Sequence, residues 1–411
     1  MSAEPFQISG CEVCGNSNLT PVLDLGSHPM CDDLVPIDSE RVCKEYPIRI
    51  LYCEQCRTAN QQYQVPKQDL FPSNYHYRSR FTTDVLNGMH SLVTQCEYFL
   101  GGLERKLVLD IGCNDGSLLS FFRERGANTC GVEPTGAYLD AEISGHKVYN
   151  DYFDPCLAEK ILADQGNPDL IVFTNVFAHI EDLRTVLESL NRLITTTTVV
   201  VIENHYLGAI LEGNQFDTFY HEHPRTYSCS SFKYISKSLG LPLSHIEFPS
   251  RYGGNIRVIL GSISGDFSES KASLVSRAIA REDGFLRQFE DMRRNMEMWR
   301  SVKKEQLELL VQKFGPIAAK AFPGRAAILT KLLGLDTDMI DRVYEKSGSM
   351  KIGHYVPGTR IPIVSDEELL VLDGFSAPLL NFAWHISDEI RGYMTERGYS
   401  GEIIDIVDKQ N

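Results

Sequence analysis

Four short apolar runs separated by helical stretches constrain the fold of residues 86–262 more than any other feature of the chain. The runs read LVLDIG at 107–112, TCGVEP at 129–134, LIVFTNV at 170–176 and TVVVIEN at 198–204. Such runs are typical of buried strands, and their alternation with helices favours a parallel sheet with crossover helices. This region is therefore predicted to be a Rossmann-like α/β domain.

The first strand leads into a turn with two glycines, Gly112 and Gly116. Glycines let the backbone approach a ligand closely, and Asp110 at the strand end can contact polar ligand atoms. Glu133 ends the next strand, where a carboxylate can accept both ribose hydroxyls of a dinucleotide or of S-adenosylmethionine. Because no third glycine follows, as a pyrophosphate turn requires, the turn favours S-adenosylmethionine and a class I methyltransferase. A turn that binds nothing is the alternative. The predicted cofactor-binding residues are Asp110, Gly112, Asn114, Gly116, Glu133, Asp151, Tyr152 and Asn175.

Cysteine spacing marks the N-terminal segment. CEVC provides Cys11 and Cys14, and CEQC provides Cys53 and Cys56. Two such pairs can form a closed tetrahedral thiolate site for Zn²⁺, and a site of four thiolates has no open position for substrate. The prediction is a structural zinc site, with Cys31 and Cys43 in the long spacer as rival ligands and four unrelated free cysteines as the alternative.

The C-terminal part begins with a charged stretch at 268–314 and continues as a second α/β section. Apolar residues spaced by three or four predict one long amphipathic helix or a helical pair. Strands are then predicted at 342–346, 378–384 and 402–407, with a helix between the last two. The predicted domains are 1–85 for zinc binding, 86–265 for cofactor binding and 266–411 for a helical linker with a C-terminal Rossmann-like α/β domain.

The net charge of the chain and its N-terminal sequence indicate which kinds of partner the protein can bind. The formal net charge of −15 disfavours binding to nucleic acid or an anionic membrane. The N-terminus has neither the basic start nor the apolar core of a signal peptide, and no apolar run is long enough to span a membrane. We therefore expect a cytoplasmic protein with a small-molecule substrate, no nucleic-acid partner and no membrane contact, as a monomer or dimer.

The stretch DTFYHEHPRTYS at 217–228 raises the question of metal binding or proton transfer. HEH does not have the spacing of a helical HExxH zinc site, so proton chemistry is favoured. Histidine titrates near neutrality, and tyrosine can donate to a developing oxyanion. Tyr220, Glu222 and His223 therefore form the candidate catalytic group.

His179 should join that group because it follows the strand LIVFTNV on the same carboxyl edge of the sheet. Its alternative role is to cap the helix that starts near Glu181. We expect His221 to be an exposed loop histidine and Tyr227 to be a packing residue.

The order of motifs resembles the bacterial nucleotide-sugar C-methyltransferases almost from end to end. The resemblance rests on the paired CxxC motifs, LDLG, YHYRS, DIGCNDG, GVEP, NVFAHI, FDTFYHEH, GGNIRV and PGTRIPI. It implies a zinc-binding N-terminal domain, a central S-adenosylmethionine domain and a C-terminal Rossmann-like domain that helps hold a sugar nucleotide.

The resemblance also implies a reaction. A nucleotide-linked 4-keto deoxysugar loses the proton at C3, and the enolate then takes the methyl group of the cofactor. By resemblance, His223 is the base and Tyr220 the hydroxyl donor to the enolate, assisted by His179. Glu222 supports the imidazole, and Tyr75 and Tyr77 are further pocket residues.

The chain departs from the family pattern mainly near its C-terminus. It has AKAFPGR at 319–325 where the family has a glycine-containing turn, and only Gly324 and Arg325 keep part of that character. The family's Trp-Asn pair is Trp384 and His385 in this chain. A different nucleotide contact is therefore expected.

Two other functions compete with the methyltransferase. One is an inactive cofactor-binding homologue that serves as a partner or scaffold in a sugar pathway. The other is a zinc hydrolase with catalytic metal at 221–223.

Overall fold

The computed structural model describes residues 5–66, 70, 78–81, 83–264, 270–370 and 377–408. The chain divides into two compact units. The first unit comprises Met1–Pro21, Leu51–Ile210 and His223–Leu286, and the second comprises Val22–Ile50, Leu211–Glu222 and Arg287–Asn411.

Strands dominate the N-terminal segment, and strands and helices then alternate along the rest of the chain. The strands are β1 (Phe6–Gln7), β2 (Thr20–Pro29), β3 (Val35–Pro36), β4 (Glu45–Cys53), β5 (Thr58–Gln61), β6 (Tyr63–Gln64), β7 (Leu107–Ile111), β8 (Asn128–Val132), β9 (Lys147–Tyr149), β10 (Leu170–Thr174), β11 (Val199–His205), β12 (Arg225–Thr226), β13 (Leu243–Glu247), β14 (Asn255–Leu260), β15 (Ile317–Lys320), β16 (Ile340–Glu345), β17 (His354–Tyr355), β18 (Ile363–Ser365), β19 (Leu379–Asn381) and β20 (Ile403–Asp405). The α-helices are α1 (Thr83–Leu100), α2 (Ser117–Glu124), α3 (Tyr138–Ile143), α4 (Pro155–Gln165), α5 (Leu183–Leu193), α6 (Leu207–Glu212), α7 (Cys229–Ser238), α8 (Ser270–Glu282), α9 (Phe285–Phe314), α10 (Ala326–Leu333), α11 (Glu367–Leu370) and α12 (Ser387–Glu396).

A seven-stranded sheet forms the centre of the first unit, in the order β13-β14-β11-β10-β7-β8-β9. Strands β7 to β11 are parallel, and β14 runs antiparallel to both β11 and β13. The strand order reverses between β7 and β10, and open α/β sheets bind ligands at the carboxyl edge beside such a reversal. The four strands predicted from apolar runs are confirmed as β7, β8, β10 and β11.

The core of this unit explains why those runs are apolar. Val108 and Val172 of the sheet, Phe122 of α2 and Leu92 of α1 are fully buried in one cluster. Removing side chains of this size from water contributes about 1.5–3 kcal/mol each. This burial fixes the sheet whose edge carries the cofactor turn.

Short strands that do not belong to the central sheet also pair within the first unit. β1 pairs with β6, and β5 pairs antiparallel with β12, opposing Asn60 to Arg225 and Ala59 to Thr226. The Gln61 N–H donates to the Pro224 carbonyl at 2.8 Å. The segment after the second cysteine pair is thus joined to the segment that follows His223.

The second unit contains a five-stranded parallel sheet in the order β18-β16-β15-β19-β20. Its core includes Tyr344, Leu379 and Met394. The prediction for 342–346 corresponds to β16 and that for 402–407 to β20. The prediction for 378–384 was too long, because the strand ends at Asn381 and a 3₁₀ turn begins at Trp384.

The charged stretch before that sheet forms the predicted helical pair, α8 and α9. Ala278, Phe285, Phe289 and Met292 are buried, whereas Phe314 is exposed. In the described part of the chain, none of the helices is both long enough and apolar enough to cross a membrane.

Candidate active site

A cavity of about 220 Å³ opens at the carboxyl edge of the first unit's sheet, beside the reversal of strand order. Gly112 and Asn114 of the glycine turn, Glu133 after β8 and Tyr152 after β9 line it. Its lining also includes Asn175 and His179, which follow β10. Residues predicted from four separate parts of the sequence therefore meet at one cavity.

Backbone conformation explains the glycines of the turn. Gly112 has a φ of 75° and Gly116 a φ of 76°, values in the left-handed region that other residues adopt at a cost. A Cβ added at Gly112 would lie 2.5 Å from Cγ2 of Val176. Asn114 and Asn175 are also left-handed, and asparagine tolerates that region better than most residues.

Glu133 is held in place by donors from the glycine turn and from Thr135, two residues further along the chain. Its Oε2 accepts from the Asn114 N–H at 3.0 Å, and its Oε1 accepts from the Thr135 N–H at 2.9 Å and the Thr135 hydroxyl at 2.5 Å. Each carboxylate oxygen has two acceptor sites, so one site remains, on Oε2, and it can accept from one hydroxyl of a ligand diol. These hydrogen bonds fix the orientation of the carboxylate that is predicted to bind the ribose.

The lining of the cavity is acidic. Besides Glu133 it includes Asp154, Glu181 and Asp182, and none of the described residues that line it is a lysine or an arginine. Carboxylates attract a sulfonium cation and repel a pyrophosphate. The acidic lining and the close backbone approach at the glycine turn therefore fit S-adenosylmethionine, which Glu133, Asn114 and Gly112 would hold.

Three predicted cofactor residues, Asp110, Gly116 and Asp151, do not line the cavity. Asp110 is buried below the turn, and burial together with repulsion by Glu133 raises its pKa to about 8. Gly116 packs against Ala141 and His146, and Asp151 is exposed, with its carboxylate accepting from the Tyr152 N–H. Cofactor contact by these three side chains stays a prediction.

Sequence reasoning missed several lining residues, including Thr135, Phe153, Asp154, Glu181 and Asp182. Thr135, Glu181 and Asp182 follow predicted strands by a few residues, whereas Phe153 and Asp154 follow β9, which the apolar runs did not identify. That position on the carboxyl edge was the available signal.

Three histidine rings cluster beside the cavity in the first unit. The His223 ring centroid lies 4.7 Å from that of His179 and 5.2 Å from that of His205. His223 is buried, and His179 lines the cofactor cavity. His179 belongs to a 3₁₀ turn, and the following helix α5 is capped by Asp182, whose carboxylate accepts from the Thr185 N–H at 3.0 Å. The capping alternative for His179 is therefore wrong.

Tyr220, His221 and Glu222 belong to the second unit. The expectation of an exposed His221 is wrong: it is buried, and its Nε2 lies 3.0 Å from the Tyr46 carbonyl. Burial lowers the pKa of His221 to about 4. Burial, with a smaller contribution from Asp32, raises the pKa of Glu222 to about 8. Tyr75 and Tyr77 lie outside the described residues.

Four cysteines form the predicted metal site in the first unit. The sulfur atoms of Cys11, Cys14, Cys53 and Cys56 all lie within 4.8 Å of one another, which suits tetrahedral coordination by one Zn²⁺. Among the described residues, the rival ligands Cys31 and Cys43 do not belong to this cluster, and Cys43 donates to the Asp33 carbonyl. Among the described residues, the histidines at 221 and 223 form no such cluster, so the structure gives the hydrolase interpretation no support.

Three protein-family models match consecutive parts of the chain. Residues 11–71 match "Putative zinc binding domain", residues 90–246 match "Methyltransferase domain" and residues 250–404 match "C-methyltransferase C-terminal domain". The C-methyltransferase NovU of Streptomyces niveus is 26% identical over 397 residues, covering 95% of this chain and 94% of NovU. The chain is an S-adenosylmethionine-dependent C-methyltransferase with an N-terminal zinc-binding domain.

Two solved methyltransferase structures are similar to part of this C-methyltransferase. The magnesium protoporphyrin IX methyltransferase of Synechocystis PCC 6803 with bound SAM is 13% identical, covers 44% of this chain and 79% of its own, and has a TM-score of 0.31. A SAM-dependent methyltransferase from Archaeoglobus fulgidus is 16% identical, covers 43% and 93%, and has a TM-score of 0.34. The fold assignment rests on the strand order and the family models.

The C-terminal turn of the C-methyltransferase keeps its arginine in an internal ion pair. Arg325 donates to both carboxylate oxygens of Asp217, from Nε at 2.8 Å and from Nη2 at 2.6 Å. The Trp384 indole N–H donates to the same carboxylate at 2.9 Å, and the guanidinium lies 5.4 Å from the Trp384 ring centroid. Asp217 is buried, so this arginine satisfies a buried charge.

The predicted domain boundaries at 85/86 and 265/266 stay predictions.

Proposed function

We propose that this C-methyltransferase acts on carbon C3 of a nucleotide-linked 4-keto deoxysugar. The observation that carries the proposal is the position of His223, a buried imidazole in ring contact with His179 at the cofactor cavity. A base beside the methyl donor is what C-methylation next to a ketone requires.

The proposed roles follow from the chemistry of the ketone. Removing the C3 proton leaves negative charge on the ketone oxygen, so a base and a hydrogen-bond donor must act together. His223 accepts the proton at an imidazole nitrogen, and His179 donates a hydrogen bond towards the developing oxyanion. When bound, S-adenosylmethionine supplies the electrophilic methyl group.

Two further residues, Tyr220 and Glu222, are included in the proposal because of the roles that the sequence motif gives them. Tyr220 is assigned as the hydroxyl donor to the enolate and Glu222 as support for the His223 imidazole. A Glu222 pKa of about 8 keeps this carboxyl protonated at neutral pH, so its support takes the form of a hydrogen bond and not of a negative charge.

Solvent exchange tests the first chemical step alone. We expect the protein to exchange the C3 hydrogen of a nucleotide-linked 4-keto deoxysugar with D₂O, followed by NMR, in the presence of the demethylated cofactor. Retention of the C3 hydrogen across a panel of such sugars would contradict the proposed deprotonation.

A further inference from the structure

We propose that Arg225 is a positioning residue that connects the zinc site to the wall of the cofactor cavity. It does so through the Glu12 carboxylate on one side and the Glu181 carbonyl on the other. The inference concerns cofactor binding, so it does not depend on which methyl acceptor the enzyme uses.

The Arg225 side chain is completely buried, and several partners define its orientation. Its Nη1 forms an ion pair with Glu12, both Nη1 and Nη2 donate to the Glu181 carbonyl at 3.2 Å, and Nε donates to the Tyr227 hydroxyl at 3.1 Å. A guanidinium is planar and has five donors in a fixed arrangement. A shift of Glu12 therefore moves the donors that hold Glu181.

Glu12 lies between two zinc ligands, Cys11 and Cys14. Its Oε2, which pairs with Arg225, also accepts from the Gln64 side-chain amide at 2.8 Å. Metal bound by both cysteines fixes the short loop between them. The carboxylate that orients Arg225 is thus set by the metal site.

Glu181 lies in the wall of the cofactor cavity. The next residue, Asp182, caps helix α5 through the Thr185 N–H, and both Asp182 and Thr185 line the same cavity. Since residues 181–185 are joined through this cap, the position of the Glu181 carbonyl sets the position of the helix start.

The second cysteine pair holds the other end of the same segment. The Cys56 carbonyl accepts from the hydroxyls of Ser228 and Ser231 at 3.3 Å, and the Thr58 hydroxyl lies 2.8 Å from that of Ser231. With the pairing of β5 and β12, these contacts fix residues 224–231 to both halves of the zinc site. Arg225 is the side chain that connects this fixed segment to the wall of the cavity.

The test uses the zinc-loaded full-length protein with the variants Arg225→Lys, Glu12→Gln and their combination. Lysine keeps the charge but loses the planar donor set, and glutamine keeps the shape but loses the ion pair. We expect each single variant to keep its full zinc content and to raise the dissociation constant and the KM for S-adenosylmethionine by about tenfold, equivalent to about 1.4 kcal/mol. We expect kcat to change by less than about twofold, because the groups proposed for chemistry are untouched.

The double variant distinguishes one connected path from two separate effects. Residues that act through one path are non-additive, so the double variant should bind the cofactor about as weakly as the weaker single variant. Hydrogen exchange should increase in residues 180–186 of all three variants.

Glu54→Gln is the matched control, since Glu54 has the same place in the second CxxC motif. Its carboxylate is exposed and accepts from the Thr20 hydroxyl at 3.1 Å, so cofactor affinity should not change. Wild-type affinity in Arg225→Lys and Glu12→Gln, additive losses of about a hundredfold, or loss of zinc from Glu12→Gln would each overturn the proposal.

Discussion

The imidazole rings of His179 and His223 lie 4.7 Å apart, inclined at 44°, although they are far apart in the sequence. His179 follows strand β10 and lines the cofactor cavity, whereas His223 directly precedes the segment that pairs with the zinc-binding region. This contact places the His223 imidazole next to a residue of the cavity lining, and it is the basis of the first prediction.

His223→Asn should keep its affinity for S-adenosylmethionine and lose methyl transfer by a factor of about a hundred or more. Asparagine keeps a polar side chain but cannot act as a base near neutral pH. Radiolabel transfer gives the rate, and calorimetry gives the affinity. His90→Asn changes an exposed histidine of the same unit and should behave like wild type. Methyl transfer at the wild-type rate by His223→Asn would remove His223 as the base.

Glu133→Gln should weaken binding of S-adenosylmethionine by about tenfold to a hundredfold, because a charge-assisted hydrogen bond contributes about 1.5–3 kcal/mol. Titration calorimetry measures the change. Glu142→Gln, at an exposed site in the same unit, should bind normally. Unchanged affinity in Glu133→Gln would show that the cofactor ribose is held elsewhere.

Zinc content should fall to near zero when Cys11 and Cys53 are both replaced by serine, because each CxxC motif then loses one ligand. Replacing Cys31 and Cys43 should leave the zinc content unchanged. Metal analysis of the purified proteins measures both. Full retention of zinc without Cys11 and Cys53 would contradict the four-cysteine site.

The dependence of the free energy of unfolding on pH should reveal the ionisation of the buried Asp110. Its pKa rises from 3.8 to about 8, through burial and then through repulsion by Glu133. The native state therefore holds the proton to higher pH than the unfolded state does. The stability associated with this group is present below about pH 4 and is lost as pH rises towards 8, by about 1.4 kcal/mol per pH unit.

Asp110→Asn removes the ionisable group, so the variant does not lose this stability as the pH rises. The difference in thermal midpoint between Asp110→Asn and wild type should grow in favour of the variant from about pH 5 to about pH 8. The exposed carboxylate variant Glu124→Gln should show a flat difference. A flat difference for Asp110→Asn would contradict a raised pKa.

Arg325→Met should destabilise the protein by about 3–5 kcal/mol, because it leaves the buried carboxylate of Asp217 without its cation. The double variant with Asp217→Asn should recover most of that loss. Denaturant unfolding measures both. Arg342→Met breaks a more exposed ion pair in the same unit and should cost at most about 1 kcal/mol. A neutral Arg325→Met would show that the ion pair with Asp217 does not stabilise the fold.

The sequence predicts the features that local pattern determines. Apolar runs identified β7, β8, β10 and β11. The glycine turn and Glu133 line one cavity, as expected from their positions at strand ends, because strand ends and turns are specified within a few residues. Cysteine spacing identified the metal site, since four thiolates in two short motifs have few alternatives.

Long-range packing determines what the sequence could not predict. His221 is buried by contacts that include Tyr46, 175 residues away, and no local pattern reports that burial. No local pattern reports the position of Arg225 either, and only its distant partners Glu12 and Glu181 show that it lies between the zinc site and the cavity.

Product analysis tests the central claim most directly. The protein is incubated with isotope-labelled S-adenosylmethionine and a panel of nucleotide-linked 4-keto deoxysugars, and the products are analysed by mass spectrometry and NMR. We predict that at least one sugar gains one labelled methyl group on C3. Methylation of oxygen or nitrogen, or no methylated product from any sugar in the panel, would contradict C3-methylation of a keto sugar, and the second result would favour the scaffold alternative.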